Sequence, residues 1–152
     1  MVSVGDPAPD FTLMANDRNM VTLSESLGNK VVLAFYPAAF TGVCTTEMCT
    51  FNNLMIDFEN LEAEVFGISV DSIFSNNEFS EKNSIGFPLL SDVHREATNS
   101  FGVGIDFVMP GYKAAQRSVF IINEDGKIGF KWVAENPGIE PNYQEIVDFC
   151  KK

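Results

Sequence analysis

The chain has 152 residues, enough for one domain with a sizeable buried core. A formal net charge of −11 disfavours general binding to nucleic acid or to anionic membrane surfaces, since both are negatively charged. No apolar run approaches the roughly 20 residues of a membrane-spanning helix, and the first residues lack a secretory signal. We therefore expect a single cytoplasmic domain over residues 1–152, with neither nucleic acid nor membrane as a partner.

The three cysteines, Cys44, Cys49 and Cys150, are an odd and sparse set for a disulfide framework. They are more consistent with reactive thiols or with buried ones. A zinc site takes about four ligands, and the single histidine, His94, has no cysteine pair near it in the sequence. Because no flavin, haem or nicotinamide motif is visible either, we expect no metal and no cofactor. His94 stands among charged residues and is expected to be a solvated or capping residue.

The first half of the chain predicts a hairpin, a buried strand, a helix and a second buried strand. The segments 11–13 and 20–23 flank an Asn-Asp-Arg-Asn turn, which is typical of a short hairpin after an extended N-terminal arm. The apolar, β-branched run 30–36 predicts a central strand that is buried on both faces and ends before a proline. From 44 to about 61, apolar residues recur every three or four positions, which predicts a helix. The run 65–70 predicts the second buried strand.

The second half of the chain ends in a hairpin and a closing helix. The strands 118–122 and 128–133 are joined through Asp-Gly, a dipeptide typical of hairpin turns. This order of elements predicts an α/β, thioredoxin-like fold with an N-terminal β extension and a mixed central sheet flanked by helices. The other elements expected here are a polar helix over 74–84, a short edge strand over 87–90, a helix from 94 to 101 and an amphipathic helix over 142–150.

The segment from Pro37 to Cys49 concentrates the residues that suggest chemistry. Cys44 follows the loop after the central strand and lies in the first turn of the predicted helix. The free N–H groups and the positive end of the helix dipole there stabilise a thiolate, which is the nucleophilic form of cysteine. Thr41, three residues earlier, can turn its hydroxyl toward the same place, and Pro37 stiffens the loop. On position alone, Cys44 is either a reactive thiol or simply a small residue at a helix start.

The pattern Pro37-x-x-x-Thr41-x-x-Cys44 resembles the P-x-x-x-T-x-x-C signature of the peroxiredoxins. The resemblance covers essentially the whole chain, from the Gly-Asp-x-Ala-Pro-Asp-Phe start to the late strand 118–122 and its hairpin. The family has an arginine just before this strand, and Arg117 stands at the matching position. The resemblance therefore implies a thiol peroxidase that reduces hydroperoxides.

The resemblance also implies a role for each matching residue. Cys44 would be the peroxidatic nucleophile, whose attack on the O–O bond leaves a sulfenic acid. Arg117 would hold the thiolate and a peroxide oxygen with the fixed donors of its guanidinium. Thr41 would hydrogen-bond the peroxide, and Pro37 would shield the thiolate from water. Glu47 matches a position that is often acidic in the family, where it orients the arginine; a solvated first-turn acid is the alternative.

Cys49 lies five residues after Cys44, as the resolving cysteine does in the bacterioferritin-comigratory (PrxQ-like) branch that this part resembles. In an intact α-helix this spacing separates the two Cα atoms by about 8.6 Å, whereas a disulfide needs less than about 7 Å. The first turns would therefore have to unwind before the sulfurs could join, and the reduced protein should hold two free thiols. A buried core cysteine is the alternative for Cys49, and Cys150 is expected to be a packing residue or an incidental thiol.

The tail motif Asn-Pro-Gly-Ile-Glu-Pro-Asn over 136–142 is closer to the AhpE-like branch, some members of which use external thiols instead of a resolving cysteine. The resemblance therefore leaves one- and two-cysteine cycles open. It also implies recycling by thioredoxin or another small thiol reductant, and a monomer or homodimer in which Phe40 is either an interface residue or a core contact. Two rival classes remain: a thioredoxin-like disulfide reductase, which normally uses C-x-x-C, and a peroxide sensor or chaperone.

Overall fold

A seven-stranded mixed sheet runs through the centre of the computed structural model, which describes residues 1–152. The strands are β1 (Thr12–Ala15), β2 (Met20–Thr22), β3 (Val31–Phe35), β4 (Glu64–Ser69), β5 (Leu89–Ser91), β6 (Gly104–Asp106), β7 (Lys113–Ala115), β8 (Ser118–Ile122) and β9 (Ile128–Val133). The helices are α1 (Gly42–Asn53), α2 (Met55–Asn60), α3 (Ile73–Asn83), α4 (Glu96–Ser100) and α5 (Tyr143–Cys150), with a 3-10 turn over Leu23–Ser26.

The strand order in the sheet is β2-β1-β5-β4-β3-β8-β9. The three inner strands β3, β4 and β5 are parallel to one another. The β1–β2 and β8–β9 hairpins flank them, and each hairpin pairs antiparallel with the inner strand beside it. The N-terminal hairpin therefore extends the sheet beyond β5. This arrangement confirms the predicted thioredoxin-like layout with an N-terminal β extension.

Strand β3 is buried on both faces, as its continuous apolar run predicted. Because successive side chains of a strand point to opposite faces, Val32 and Ala34 join one apolar cluster while Leu33 and Phe35 join the other. The first cluster is covered by α1, α2, α3 and α5, and the second by α4 together with N-terminal residues. The sheet is thus the middle of three layers. No helix is both long and apolar enough to cross a bilayer.

The end of β3 determines where the loop after it and the following helix lie. Tyr36 still bonds to the next strand through its N–H to Ile68, but Pro37 has no N–H and the chain leaves the sheet there. Thr41 is the N-cap residue of α1, which begins at Gly42. Since β8 is antiparallel to β3 and pairs Ser118 with Phe35, the residue just before β8 lies beside the start of α1. This register brings distant parts of the chain together.

The helix predicted from 44 to 61 is two helices in the structure, which corrects that prediction. The break is at Leu54, whose φ of −95° and ψ of 4° lie outside helical values. Asn52 and Asn53 precede it, and asparagine is a weak helix former. The Asn52 side chain also bonds outward, donating to the Ser84 carbonyl and accepting from the Gly86 N–H. Apolar periodicity continued across the break and so could not reveal it.

The short strand after α3 is not at an edge, and this prediction was wrong. β5 lies between β4 and β1, and all three of its residues are buried. Pro88, which lacks an N–H, precedes the strand and so does not interrupt its ladder. The helix expected from 94 to 101 is also shorter, because α4 covers only Glu96–Ser100.

The glycine- and proline-rich loop after α4 contains structure that the sequence did not predict. β6 and β7 form a separate antiparallel two-stranded ribbon, each strand having only three residues. Strands this short carry too little alternation to be detected from sequence. The β8–β9 hairpin and the amphipathic helix α5 form as predicted, and Asn142 caps α5 by accepting the Glu145 N–H.

Candidate active site

Cys44 is the third residue of α1 and is completely buried. The first main-chain hydrogen bond of the helix runs from the Thr45 N–H to the Thr41 carbonyl, at 2.9 Å. The three preceding N–H groups therefore have no partner within the helix, and they form its positive end. Cys44 sits among these donors, in the setting that the sequence predicted for a thiolate.

Arg117 makes the central contact of the site. Its Nη2 donates to the Cys44 Sγ at 3.0 Å, its Nη1 to the Glu47 Oε1 at 2.9 Å, and its Nε to the Pro137 carbonyl at 3.1 Å. The guanidinium carries five N–H bonds in a rigid plane. Three of them are used here, which leaves one on each terminal nitrogen for another ligand of the same pocket.

Glu47 shares this buried environment. Its side chain is 0% exposed and that of Arg117 is 2% exposed, so the ion pair is removed from water. Burial raises the pKa of the Glu47 carboxyl to about 8, and the attraction of Arg117 opposes this shift. Burial works against a charged Arg117, but Glu47 and Cys44 outweigh it and raise the pKa of the guanidinium. Arg117 is therefore a permanent cation, while the second oxygen of Glu47, Oε2, has no hydrogen-bond partner.

Thr41 and Pro37 belong to the loop that leads from β3 into α1 and so to Cys44. Pro37 is buried, and Thr41 is partly buried at the N-cap position. The Thr41 side chain does not cap the helix; its hydroxyl donates to the Ala38 carbonyl at 2.8 Å. Its proton is therefore committed to the loop, and the oxygen remains available as an acceptor.

Cys49 lies further along α1, partly buried, and faces α3. Its Sγ is 3.8 Å from the Asn83 Oδ1. Both Cys44 and Cys49 are free thiols, and they lie on one continuous helix, which is the state expected for the reduced protein. A regular helix holds the two Cα atoms about 8.6 Å apart.

The structure does not bring Cys150 or His94 into this group. Cys150 is buried at the end of α5, where burial raises the pKa of its thiol to about 11. Such a thiol is a packing residue, not an activated nucleophile. His94 is exposed and lines a cavity of about 400 Å³ near the β1–β2 hairpin. None of Cys44, Thr41 and Arg117 lines that cavity, so it is not the site described here.

Two contributions to the site escaped the sequence analysis. The Pro137 carbonyl holds the Nε of Arg117, although the tail motif around it had suggested only a subgroup. The Asp71 carboxylate accepts the N–H of Ala39 in the Pro37–Thr41 loop at 2.8 Å. A main-chain carbonyl leaves no residue-type signal, and an aspartate at a strand end is usually a turn residue. Only the fold reveals these contacts.

Comparison with known proteins agrees with this geometry. The model of the AhpC/TSA family matches residues 4–131. A bcp-type peroxiredoxin of Haemophilus influenzae is 36% identical over 152 residues, covering 99% of this chain and 97% of that protein. The chain belongs to the AhpC/TSA family. It is thus a peroxiredoxin, an oxidoreductase of the thiol-dependent peroxidase type.

Solved peroxiredoxin structures share the whole fold. The crystal structure of peroxidoxin BcpB from Mycobacterium tuberculosis superposes with a TM-score of 0.88 at 30% identity, covering 99% of this chain and 97% of that one. A cysteine-to-serine mutant of PrxQ from Xylella fastidiosa gives a TM-score of 0.89 at 29% identity, covering 99% and 96%. The predicted resemblance to bcp- and PrxQ-type peroxiredoxins and the thioredoxin-like fold are therefore both confirmed.

Proposed function

We propose that this peroxiredoxin reduces hydrogen peroxide and alkyl hydroperoxides through a sulfenic acid on Cys44. The observation that carries the proposal is the 3.0 Å contact between the Arg117 Nη2 and the Cys44 Sγ, both of them buried. A cation that donates directly to the sulfur favours the thiolate over the thiol. Cys150, the other buried cysteine, lacks such a partner among the hydrogen bonds of the molecule and is not proposed to react.

The first step moves two electrons from sulfur to the peroxide. The Cys44 thiolate attacks one oxygen of the O–O bond in line, so that an S–O bond forms as the O–O bond breaks. The sulfur is oxidised to a sulfenic acid, and the departing oxygen takes a proton from water and leaves as water or an alcohol. Negative charge moves from the sulfur to the departing oxygen. Donors that are fixed along this path lower the barrier.

The neighbouring residues supply those fixed groups. The two free N–H bonds of Arg117 and the N–H of Cys44 are donors for the peroxide oxygens. The Thr41 hydroxyl donates its hydrogen bond to the Ala38 carbonyl, so its oxygen can accept a hydrogen bond from the O–H of the peroxide. Pro37 excludes water from the sulfur. Glu47 orients Arg117 by accepting the hydrogen bond of its Nη1 at 2.9 Å and does not touch the substrate.

We propose that Cys49 resolves the sulfenic acid. Its thiolate attacks the Cys44 sulfur, a disulfide forms, and hydroxide leaves and is protonated to water. The distance between the two positions in an intact helix exceeds the reach of a disulfide, so the first turns of α1 must open for this step. Resolution by an external thiol, with Cys49 as a packing residue beside Asn83, is the alternative cycle.

The remaining steps rest on the family alone. A thioredoxin-like protein, or another small thiol reductant, is the proposed electron donor, since exchange between dithiols and disulfides needs no cofactor. The proposed location is the cytoplasm, where a chain with three unpaired cysteines stays reduced. A monomer or a homodimer is the proposed assembly. Phe40 is half exposed, as an interface residue would be, and its ring also makes an edge contact with Phe79, as a core residue would.

The test is to treat reduced protein with one equivalent of hydrogen peroxide and to map its cysteines by peptide mass spectrometry. The wild type is compared with Cys44→Ser, Cys49→Ser and, as a matched control, Cys150→Ser. We expect a Cys44–Cys49 disulfide in the wild type and in Cys150→Ser. In Cys49→Ser we expect a trapped sulfenic acid on Cys44.

The other outcomes separate the parts of the proposal. Sulfenic acid on Cys44 with Cys49 left free in the wild type would replace the two-cysteine cycle by one that uses an external thiol. A Cys44 that stays reduced in the wild type, in Cys49→Ser and in Cys150→Ser would overturn the proposed nucleophile. Oxidation in the first round without turnover by any thiol donor would favour a peroxide sensor.

A further inference from the structure

The Pro37–Thr41 loop is held from one side by a carboxylate that the proposed reaction does not use. Asp71 follows β4 and lies between the strand and α3. Its Oδ2 accepts the Ala39 N–H at 2.8 Å and the Ser69 hydroxyl at 2.8 Å. Ala39 is the middle residue of the loop, and its neighbour Ala38 accepts the hydroxyl of Thr41. A single carboxylate oxygen thus fixes the loop on which two proposed site residues depend.

A buried polar network holds this carboxylate in place. The Asn76 Oδ1 accepts the Tyr36 hydroxyl at 2.8 Å, and the oxygen of Ser69, whose single proton goes to Asp71, lies 3.3 Å from it. The Asn76 Nδ2 donates to Ser91 at 3.1 Å. Tyr36, Asn76 and Ser69 are completely buried, and every one of these groups has a partner. Fully satisfied networks of this kind are rigid. Asp71, itself partly buried, is therefore held from its core side, while Phe40 of the loop is exposed.

The loop resists this closed position through its own backbone. Phe40, next to Ala39, has a φ of 67°, a left-handed conformation that is strained for a non-glycine residue. Its ring makes an edge contact with Phe79 of α3 at 5.4 Å but remains 51% exposed. Strain at Phe40 favours opening, while the contacts of Ala39 and Phe40 favour closure. The closed loop is thus a balance of opposing terms.

We propose that Asp71 is a positioning residue that sets this balance between a closed loop, which reacts with peroxide, and an open loop, in which Cys44 can reach Cys49. The inference rests on the proposed Cys44–Cys49 cycle for its second half only. Peroxide reduction needs the Thr41 loop folded against Arg117, and disulfide formation needs the first turns of α1 unwound. Asp71 touches neither the substrate nor the sulfur, so it acts only through the loop. Its removal should move the two steps in opposite directions.

The experiment compares Asp71→Ala with a conservative variant and with a remote control. Asp71→Asn keeps one carbonyl oxygen, which can accept both bonds because both now meet the same Oδ2. Asp10→Ala is the matched control, since the Asp10 carboxylate accepts the Ser24 N–H at 2.9 Å in a turn away from the site. Ser69→Ala is a milder second variant, which loosens Asp71 without removing it, in case Asp71→Ala does not fold.

Amide hydrogen exchange of the reduced proteins, followed by mass spectrometry, tests the closed loop without any reaction. We expect exchange of peptides covering 37–50 to be about tenfold faster in Asp71→Ala, the effect of losing one hydrogen bond to a charged acceptor. Exchange elsewhere in the chain should be unchanged. Asp71→Asn should be close to wild type, and Asp10→Ala should not affect 37–50. A uniform increase over the whole chain would overturn the positioning role, because it would mean general destabilisation.

Rapid-quench kinetics with thiol alkylation tests the two chemical steps. In Asp71→Ala we expect disulfide formation to speed up by up to about tenfold, because the open population rises by that factor, and oxidation of Cys44 to slow, because the closed population falls. Changes in the same direction, or no change in either rate, would overturn the proposal. If wild-type Cys44 is never oxidised, the proposed function itself fails, while the exchange result still decides whether Asp71 holds the loop. If Cys44 is oxidised but no disulfide forms, the positioning role of Asp71 is decided by two results together: slower oxidation of Cys44 and faster exchange of peptides 37–50 in Asp71→Ala.

Discussion

At the scale of single residues, Arg117 is the group on which the site depends. Its three nitrogens contact Cys44 and Glu47, both on α1, and Pro137, far along the chain. Each contact has a donor of fixed direction, so the guanidinium cannot turn without breaking all three. A positive charge that is held rigidly can stabilise the negative charge that moves from the sulfur to the departing oxygen in the proposed reaction.

We predict that Arg117→Ala slows oxidation of Cys44 by at least about 100-fold, the usual cost of removing one fixed donor from a site where charge develops. The oxidation rate of Arg117→Lys should lie between those of the wild type and Arg117→Ala, because an ammonium keeps the charge but cannot hold three directed partners. The rate is measured by rapid-quench alkylation, with Arg18→Ala as an exposed arginine control. Wild-type rates in both Arg117 variants would exclude this arginine from the reaction.

Ionisation of the buried Glu47 makes the stability of the protein depend on pH. Burial raises the pKa of this carboxyl to about 8, compared with 4.5 for an unperturbed glutamate. The folded protein thus holds this proton more tightly than the unfolded chain. The stability that the neutral carboxyl contributes is complete below about pH 4.5 and is lost as the pH rises through about pH 8.

We therefore predict that Glu47→Gln becomes progressively more stable relative to the wild type as the pH is raised from about 5 to about 8. Glutamine keeps the shape and the acceptor for Arg117 but cannot ionise. The measurement is the free energy of urea unfolding at several pH values. Glu59→Gln, an exposed glutamate on α2, is the control and should show no such trend. A difference that stays constant across this range would contradict the raised pKa.

At the scale of elements, the proposed two-cysteine cycle gives α1 two incompatible tasks. As a continuous helix it presents Cys44 to Arg117, and it holds Cys49 against Asn83. A disulfide between the two cysteines cannot form on that helix because the spacing is too long. The helix is short and begins with Gly42, a residue that lowers the cost of unwinding its first turn.

We predict that oxidation by one equivalent of peroxide removes about two turns of helix, which is the stretch that contains both cysteines. Circular dichroism at the helical minimum, measured before and after oxidation, reports the change. Cys49→Ser should keep its full signal, and Cys150→Ser should lose as much as the wild type. A complete Cys44–Cys49 disulfide with unchanged helicity would show that α1 does not need to open.

At the scale of the whole molecule, β3 connects both halves of the core. Its alternate residues belong to the two apolar clusters on opposite faces of the sheet, and its neighbours β4 and β8 come from the middle and the end of the chain. No part of the sheet can separate without exposing one of these clusters. The organisation of residues 1–152 as a single domain stays a prediction that can be tested directly.

We predict that the chain unfolds in one cooperative transition. The fluorescence of Trp132, the single tryptophan, reports on β9 at one end of the sheet, whereas far-UV circular dichroism reports on the helices. Coincident midpoints in a urea titration are expected for one domain. Two separate midpoints would mean that the β8–β9 hairpin and the helical layer melt independently.

The sequence by itself determined the layout of strands and helices that contain clear periodicity, and its resemblance to the family predicted that Cys44, Thr41, Pro37 and Arg117 form one site. These features are local, because a buried strand and a helix start each leave a pattern of a few residues. The elements that it missed or misassigned were the break at Leu54, the place of β5 inside the sheet and the three-residue strands β6 and β7.

Only the tertiary structure decided how these residues are supported. The contacts of Pro137 with Arg117 and of Asp71 with Ala39 join positions 20 and 32 residues apart, through main-chain groups that every residue type carries. The burial of Glu47, and with it the pKa of its carboxyl, also depends on which elements cover it. A sequence pattern specifies which side chains are present, but burial and long-range hydrogen bonds exist only once the sheet has fixed the register of its strands.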